Sequence, residues 1–293
     1  MKQYRILITG SNGFLGENLQ ECLTDEDFLL FATSRNPVKS KDYVCSYSFL
    51  DVCSLANCQE ILDLHKPNVI INTAALTNVD YCEKKKENCQ NVNVKSIFHF
   101  MNYVQKNNTH FIQISTDFVF DGVHGNYSEN APCSPLNFYG RSKLESEKII
   151  INNFPKYTIL RTSLLYGQHH HKANFLTRIK QSFSNNQSLF IVGDQFRTPT
   201  FINDLSIVIM NVIKHRKTGL YHISSGEMFS IFDIVCSFAE RYGFNKRLIK
   251  KICSSSLDQI ALRPMNTSLD ISKSVKELNY VPTKLNNALN QIL

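Results

Sequence analysis

The strongest constraint on this chain lies in its first twenty-odd residues. "YRILITG" (4–10) is a run of apolar and β-branched residues, and "GSNGFLG" (10–16) follows without a spacer. A buried strand that ends in closely spaced glycines, with an amphipathic helix from Phe14 to Leu23 behind it, opens a β-α-β unit. The glycines stand at 10, 13 and 16, a G-x-x-G-x-x-G pattern one residue wider than G-x-G-x-x-G. Gly10 can take the tight turn, Gly13 lets backbone approach a pyrophosphate, and Gly16 lets the helix pack on the strand. The free N–H groups and positive partial charge at the helix start suit a phosphate. Asn12, Phe14 and Leu15 complete the loop, so they are expected at a bound dinucleotide as well.

The same alternation continues through the first half. Short apolar runs at 28–35, 47–52, 68–75, 110–116 and 157–163 read as strands. Between them lie a helical region from 77 to about 107, broken into two pieces, and a helix from Tyr139 to Asn153. Such strands, bounded by helices, belong in a parallel sheet covered on both faces. The second half is less regular, with helices expected at 174–184, 201–215 and 231–243 and strands at 188–194 and 219–225. The fold class is therefore α/β, a doubly wound Rossmann sheet with a smaller C-terminal substrate-binding lobe. The expected division is a dinucleotide domain over 1–165, to which 195–230 returns, and a lobe made of 166–194 and 231–293.

Composition excludes several classes. With 43% hydrophobic and 19% charged residues in 293, the chain can build a full core and has no disordered character. The net charge of +7 is scattered, and its densest run, "CEKKKEN" (82–88), is broken by glutamates. That is a solvated helix face, and without interleaved aromatics it argues against nucleic acid. The positive balance fits an anionic small ligand. No apolar run of about 18 residues exists, so no membrane span is expected. The nine cysteines include no C-x-x-C and no zinc-finger spacing. With an odd count and no leader, reduced thiols in a cytoplasmic protein are expected. "HHH" (169–171) cannot converge on one ion from a regular element; a loop is expected there, and no metal.

The tip of the second strand bears on which dinucleotide binds. A carboxylate there would hold the ribose 2′-hydroxyl of NAD. The chain instead reads "TSRNP" (33–37), with Ser34 and Arg35 at the tip and Lys39 and Lys41 beyond. A guanidinium suits a 2′-phosphate, so NADP(H) is favoured over NAD(H). The alternative is that Arg35 only stacks on the adenine.

Ligands of a doubly wound sheet bind at the carboxyl ends of the strands. "ISTDFVFDG" (114–122) ends the fifth strand, which places Ser115, Thr116 and Asp117 there. Tyr139 and Lys143 follow, four apart and so on one helix face. Ser/Thr followed by Tyr-x-x-x-Lys behind a glycine loop resembles the short-chain dehydrogenase/reductase superfamily in its extended form. "NVIINTAALTNVDYCEKKKENCQNVN" (68–93), "STDFVFDG", "LNFYGRSKLESEK" (136–148), "DQFRTPTFINDL" (194–205) and "RPMNTSLD" (263–270) together resemble the dTDP-4-dehydrorhamnose reductases. These stretches span most of the chain in order.

The resemblance implies NADPH-dependent reduction of the 4-keto group of a nucleotide-linked 6-deoxysugar, dTDP-4-dehydro-L-rhamnose above all. Tyr139 would donate a proton to the carbonyl oxygen, Thr116 would hydrogen-bond that oxygen, and Lys143 would hold the nicotinamide ribose. Lys143 would also help lower the phenol's pKa from about 10 by roughly two units. By the same resemblance Asp51 and Val52 would flank the adenine, Ala74 and Ala75 would line the cofactor path, and Ser115 would contact the cofactor. Thr77, Val79, Asp117 and Phe118 would approach the sugar, and Asn174 the nucleotide. Arg197 and Arg263 would meet phosphate, or else support the lobe or pair with an acid. Phe118 stands where these reductases usually carry tyrosine and Leu164 where they carry tryptophan, and related epimerase-reductases carry a cysteine near 118. Reduction without epimerisation is the expectation. A homodimer is implied too. The regulatory β subunit of methionine adenosyltransferase resembles the same motifs, which implies as the alternative a non-catalytic NADP-binding subunit. A reductase of a related UDP- or GDP-linked 4-keto sugar is the other.

Overall fold

The computed structural model describes residues 4–23, 26–36, 46–168 and 174–292. Lys39, Lys41, Cys45 and the His169–His171 run fall outside them.

β1 (Tyr4–Thr9), β2 (Phe28–Ser34), β3 (Ser46–Phe49), β4 (Val69–Asn72), β5 (His110–Thr116) and β6 (Tyr157–Thr162) join a last strand, Gly219–Ile223. All pair in parallel, in the order last strand, β6, β5, β4, β1, β2, β3. The order reverses between β1 and β4, so a crevice opens at the carboxyl ends of those two strands.

Alternation along each strand builds both faces. Ile6 and Ile8 of β1 pack with Leu15 and Leu19 of the first helix (Phe14–Cys22) and with Leu205 and Ile209 of the helix Ile202–Lys214. Leu7, between them, points the other way, into a core with Ile61, Ile97, Phe100 and Ile150. A period of two on strands thus feeds two helical layers. A third core, formed around Phe183, Phe201, Val235, Phe238 and Leu289, belongs to the C-terminal lobe.

Most expected elements are present with ends shifted by one or two residues. Three differ more. The strand expected at 47–52 ends at Phe49, because Leu50 and Val52 turn into the core on leaving the sheet. The strand expected at 68–75 ends at Asn72, where the chain leaves the sheet at the crevice. The helical region expected in two pieces runs as Val79–Lys84, Lys86–Gln90, a π-helical turn Asn91–Lys95, and Ser96–Asn107. The lobe also carries small pairings that its irregular sequence does not announce. Ile249–Ile252 pairs with Leu189–Val192 in parallel, and Phe229–Ser230 pairs with Phe196–Arg197 antiparallel.

Among the described residues no helix is long and apolar enough to cross a membrane. The described cysteines are free thiols, and no cluster of three or more metal-ligating side chains occurs among the described residues.

Candidate active site

Helix Phe138–Asn153 is set by its first residues. Asn137 caps it, its side-chain oxygen accepting from the Gly140 N–H at 2.8 Å. The Asn137 amide also donates to the Leu262 carbonyl of the lobe at 2.8 Å. Gly140 lies against the Phe118 carbonyl, where a side-chain carbon would stand 2.2 Å from the oxygen. That approach brings the helix start onto the turn Asp117–Val119 beyond β5. The rings of Tyr139 and Phe118 meet edge to face with centroids 6.1 Å apart.

Tyr139 is 9% exposed and Lys143 3%. Burial raises the phenol's pKa above its ordinary value, while the hydrogen bond with Thr116 works the other way and Asp117 and two thiols add to the rise. Burial also pushes Lys143 down to about 8, with Glu147 and Cys89 partly restoring its charge. The expected lowering of the phenol is therefore not produced by the protein's own groups. Desolvation outweighs the hydrogen bond and penalises phenolate and ammonium alike.

The Thr116 hydroxyl donates to Asp117 Oδ1 at 3.2 Å and accepts from the Phe118 N–H at the same distance. Asp117 is 2% exposed. Its Oδ2 accepts from Ser163 Oγ at 2.8 Å and from Thr267, and Arg197 Nε lies 3.7 Å away. The carboxylate thus ties β5 to β6 and to the lobe. Burial raises its pKa in spite of Arg197.

Tyr139, Thr116, Ser115, Asp117 and Phe118 line one cleft of about 760 Å³. Gly13, Phe14, Leu15, Gly16, Ala75, Thr77, Val79, Asn174, Arg197 and Arg263 line it too. Leu164 is also on its wall, at φ +37°, an unusual conformation for a branched side chain. Asn174 caps the helix Phe175–Ser184, accepting from the Thr177 N–H at 3.0 Å and donating to the Gly167 carbonyl at 2.8 Å.

The two arginines already have protein partners. Arg197 donates to the carbonyls of Phe196, Pro264 and Met265, and its guanidinium sits 5.3 Å from the Phe118 ring centre. Arg263 grips Asp80 through two hydrogen bonds of 2.7 and 3.1 Å, which holds Asp80 below its usual range.

Other expected residues lie off this cleft. Gly10, at φ +65°, turns the chain against Ala74, where a side-chain carbon would come within 2.9 Å of backbone. Ser34 Oγ and Asn12 Nδ2 both meet the Tyr47 hydroxyl, at 2.8 and 3.0 Å. Arg35 lines a second, polar cleft of about 430 Å³ with Cys53, Lys95 and His99. Asp51 caps the following turn through the Cys53 N–H, and the Val52 carbonyl meets His99 Nδ1 at 2.8 Å. Lys143 is buried behind the first cleft, and the Ser115 hydroxyl turns away from it to donate to Glu147.

The loop has the makings of an anion cradle. The first helix has no side-chain cap at Gly13, and the buried Ser11 hydroxyl meets no partner. Uncapped N–H groups and an unsatisfied hydroxyl at a helix start fit a diphosphate.

Sequence reasoning missed several contributors. Tyr47 bridges the first two strand tips. Asn93, inside the π-helical turn, clamps the Leu76 backbone at 2.8 and 3.0 Å and donates to Ser142 Oγ at 3.0 Å. Phe190, Leu257 and Gln259 reach the cleft from the lobe with no motif to mark them. A π-turn at a functional site is a recognised association, but nothing in "QNVNVK" announces one.

Comparison with known proteins agrees with this geometry. dTDP-4-dehydrorhamnose reductase of Aggregatibacter actinomycetemcomitans is 31% identical over 300 residues, covering 98% of each chain. Methionine adenosyltransferase 2 subunit beta of Danio rerio is 26% identical, covering 99% of this chain and 90% of that one. The crystal structure of dTDP-4-dehydrorhamnose reductase from Bacillus anthracis str. Ames in complex with NADP has a TM-score of 0.89 at 26% identity, covering 100% and 99% of the two chains. The family described as RmlD substrate binding domain matches residues 4–293. The chain belongs to that family.

Proposed function

We propose that this protein is an NADP(H)-dependent reductase of a dTDP-linked 4-keto-6-deoxysugar, with dTDP-4-dehydro-L-rhamnose as its substrate and dTDP-L-rhamnose as its product. The observation that carries this is the meeting of Tyr139, Thr116 and the glycine loop in one cleft at the strand ends, with Lys143 behind them.

NADPH, when bound, supplies the hydride. Gly10, Asn12, Gly13, Phe14, Leu15 and Gly16 would hold its diphosphate, and Ser34 and Arg35 its 2′-phosphate. Asp51, Val52, Ala74 and Ala75 would follow its adenine and ribose. Tyr139 then gives the phenolic proton to the carbonyl oxygen as hydride reaches the carbon. A phenol kept protonated by burial suits that direction of reaction, because the developing alkoxide is a far stronger base than phenolate. Thr116, by turning its hydroxyl proton from Asp117 Oδ1 to the substrate, would hold the oxygen toward Tyr139. Lys143 binds the nicotinamide ribose and stabilises phenolate once the proton has left. Thr77, Val79, Asp117, Phe118 and Asn174 shape the sugar and nucleotide site. Ser115 serves through its backbone, its hydroxyl being engaged by Glu147. Arg197 and Arg263 act chiefly by holding the lobe's loops against the cleft, as their partners indicate.

The test is NADPH oxidation by purified protein with dTDP-4-dehydro-L-rhamnose, beside a Tyr139→Phe control. Turnover that falls by ~10²-fold or more in the variant supports the reading. NADPH binding without consumption, with this sugar and with UDP- and GDP-linked analogues, overturns it.

A second reading has its own support in the likeness to the methionine adenosyltransferase subunit. A stable complex with that synthetase, in place of turnover, would favour it. We also infer a cytoplasmic homodimer, with the division into a domain over 1–165 and 195–230 and a lobe over 166–194 and 231–293. Phe98 and Ile151, on adjacent helices, are 50% and 44% exposed and would be covered by a second copy. Light scattering on the intact protein reads the mass.

A further inference from the structure

Tyr139, Lys143 and Glu147 occupy positions i, i+4 and i+8 of one helix, so they form a single stripe. The stripe ends in a buried carboxylate, Glu147, which is 1% exposed. Arg161 of β6 grips it through Nε at 3.0 Å and Nη2 at 2.7 Å, and Ser115 of β5 donates to its Oε1. Arg161 is itself fixed, lying 5.1 Å from the Phe120 ring centre, with His222 Nε2 at 3.4 Å and Cys133 Sγ at 3.3 Å. A buried ion pair of this kind is weak evidence for stability, so its place beside Lys143 invites a functional explanation.

Lys143 has no carboxylate within 4.0 Å among the described residues. The titratable groups that act on it are Glu147 on its own helix and Cys89 on Lys86–Gln90; Tyr139, one turn earlier, is faced in turn by Asp117 beyond β5, Cys82 on Val79–Lys84 and Cys89. Of the two acidic groups that act on the lysine directly, the Glu147 carboxylate comes first and the Cys89 thiol second, and Glu147 is the only carboxylate of the two.

We propose that Glu147, held by Arg161 and Ser115, is a positioning residue: its carboxylate keeps Lys143 in the ammonium form and pins the stripe carrying Tyr139 to β5 and β6. The kinetic consequence rests on the reductase reading; the protonation state of Lys143 does not. Burial already brings Lys143 down to about 8, with Glu147 opposing that fall. Removing the carboxylate therefore moves the lysine toward the neutral form at working pH.

The experiment measures Lys143 titration by NMR of protein carrying ¹³C-labelled lysine, with the resonance assigned by Lys143→Arg. It is paired with the pH profile of kcat/KM for NADPH oxidation. In Glu147→Gln the lysine is expected to titrate about one pH unit lower or more. The alkaline limb of the profile should move by the same amount, so that the rate above pH 8 falls ~10-fold more than the rate at pH 6.5. Glu147→Asp should restore most of both. Should the unpaired Arg161 prevent folding, the double variant Glu147→Met with Arg161→Met removes both charges together and replaces the pair by apolar bulk. A folded variant whose lysine titrates as in the wild type, or whose rate drops equally at every pH, overturns the proposal. If the wild type itself turns over no sugar nucleotide, the reductase reading fails, and the NMR titration alone decides the role of Glu147.

Discussion

Gly140 lies so close to the Phe118 carbonyl that a side-chain carbon would stand 2.2 Å from its oxygen, with Pro135 at 2.9 Å. The contact is backbone on backbone, so it cannot be relieved by a rotamer change. Gly140→Ala should push the helix start outward and carry Tyr139 with it. A displacement near 1 Å at reacting groups can cost ~10²-fold in rate. We expect kcat to fall by about that factor while the helical circular dichroism is retained. Wild-type kcat in the Gly140→Ala variant would show that the approach has no bearing on the site.

Arg35 gives a test of cofactor choice. It lines a polar cleft with Lys95 and His99, where a 2′-phosphate would find two cations. A charge-assisted hydrogen bond contributes ~1.5–3 kcal/mol, about 10- to 150-fold in affinity. Arg35→Ala should raise KM for NADPH by such a factor and leave KM for NADH nearly unchanged. Equal losses with both cofactors would instead mean that the guanidinium stacks on the adenine.

Among the buried histidines, His110 and His222 make stability depend most on pH. His110 Nε2 lies 2.8 Å from Thr158 Oγ1, whose own proton goes to the Lys217 carbonyl at 2.6 Å. The threonine oxygen therefore accepts from Nε2–H, a bond either form of the ring can make, so it is burial that favours the neutral ring. Burial, with Lys156 nearby, pushes His110 down to about 4, and burial beside Arg161 pushes His222 down to about 3. Folding favours the neutral ring, so the unfolded chain takes up the proton first. The stabilisation is complete above pH 6.5 and is lost as pH falls toward 4, by ~3 kcal/mol for His110. Urea midpoints should fall through that window, and His110→Gln should make the fall shallower. An unchanged slope in the variant would mean that His110 carries its charge in the folded protein.

Much of this molecule is legible in its sequence because the signals are local. "YRILITGSNGFLG" sets strand, turn and helix within thirteen residues, and Tyr139 and Lys143 share one helix face by spacing alone. The alternation of Ile6, Leu7 and Ile8 likewise foretells two covered faces. What the sequence does not reveal depends on packing between distant segments. For Arg197 and Arg263 the sequence leaves phosphate contact, support of the lobe and pairing with an acid all open, and the choice is made by partners 67 or more positions away. A nearby ammonium predicts a lowered pKa for the phenol, but the protein raises it, because burial is a property of the whole fold. Phe190 and Leu257 reach the cleft from a lobe whose short strands pair across about 60 residues, and no periodicity can signal that.

Epimerisation requires a base able to remove a proton from the carbon beside the ketone. Among the described residues lining the cleft, the titratable ones are Asp117, Tyr139, Arg197 and Arg263. Arginine is not a base at any working pH, and Tyr139 is the residue proposed as the acid. Asp117 has its carboxylate enclosed by Thr116, Ser163, Thr267 and Arg197 and is almost without exposure. Phe118, beside the phenol, brings a ring with no exchangeable proton. No described group is thus free to act as the second base. Reaction of dTDP-4-dehydro-L-rhamnose with NADPH in D₂O should give a product whose deuterium does not exceed background exchange at the carbons flanking C4. Enzyme-dependent deuterium at either carbon, read by mass spectrometry, would require a base that these residues do not supply.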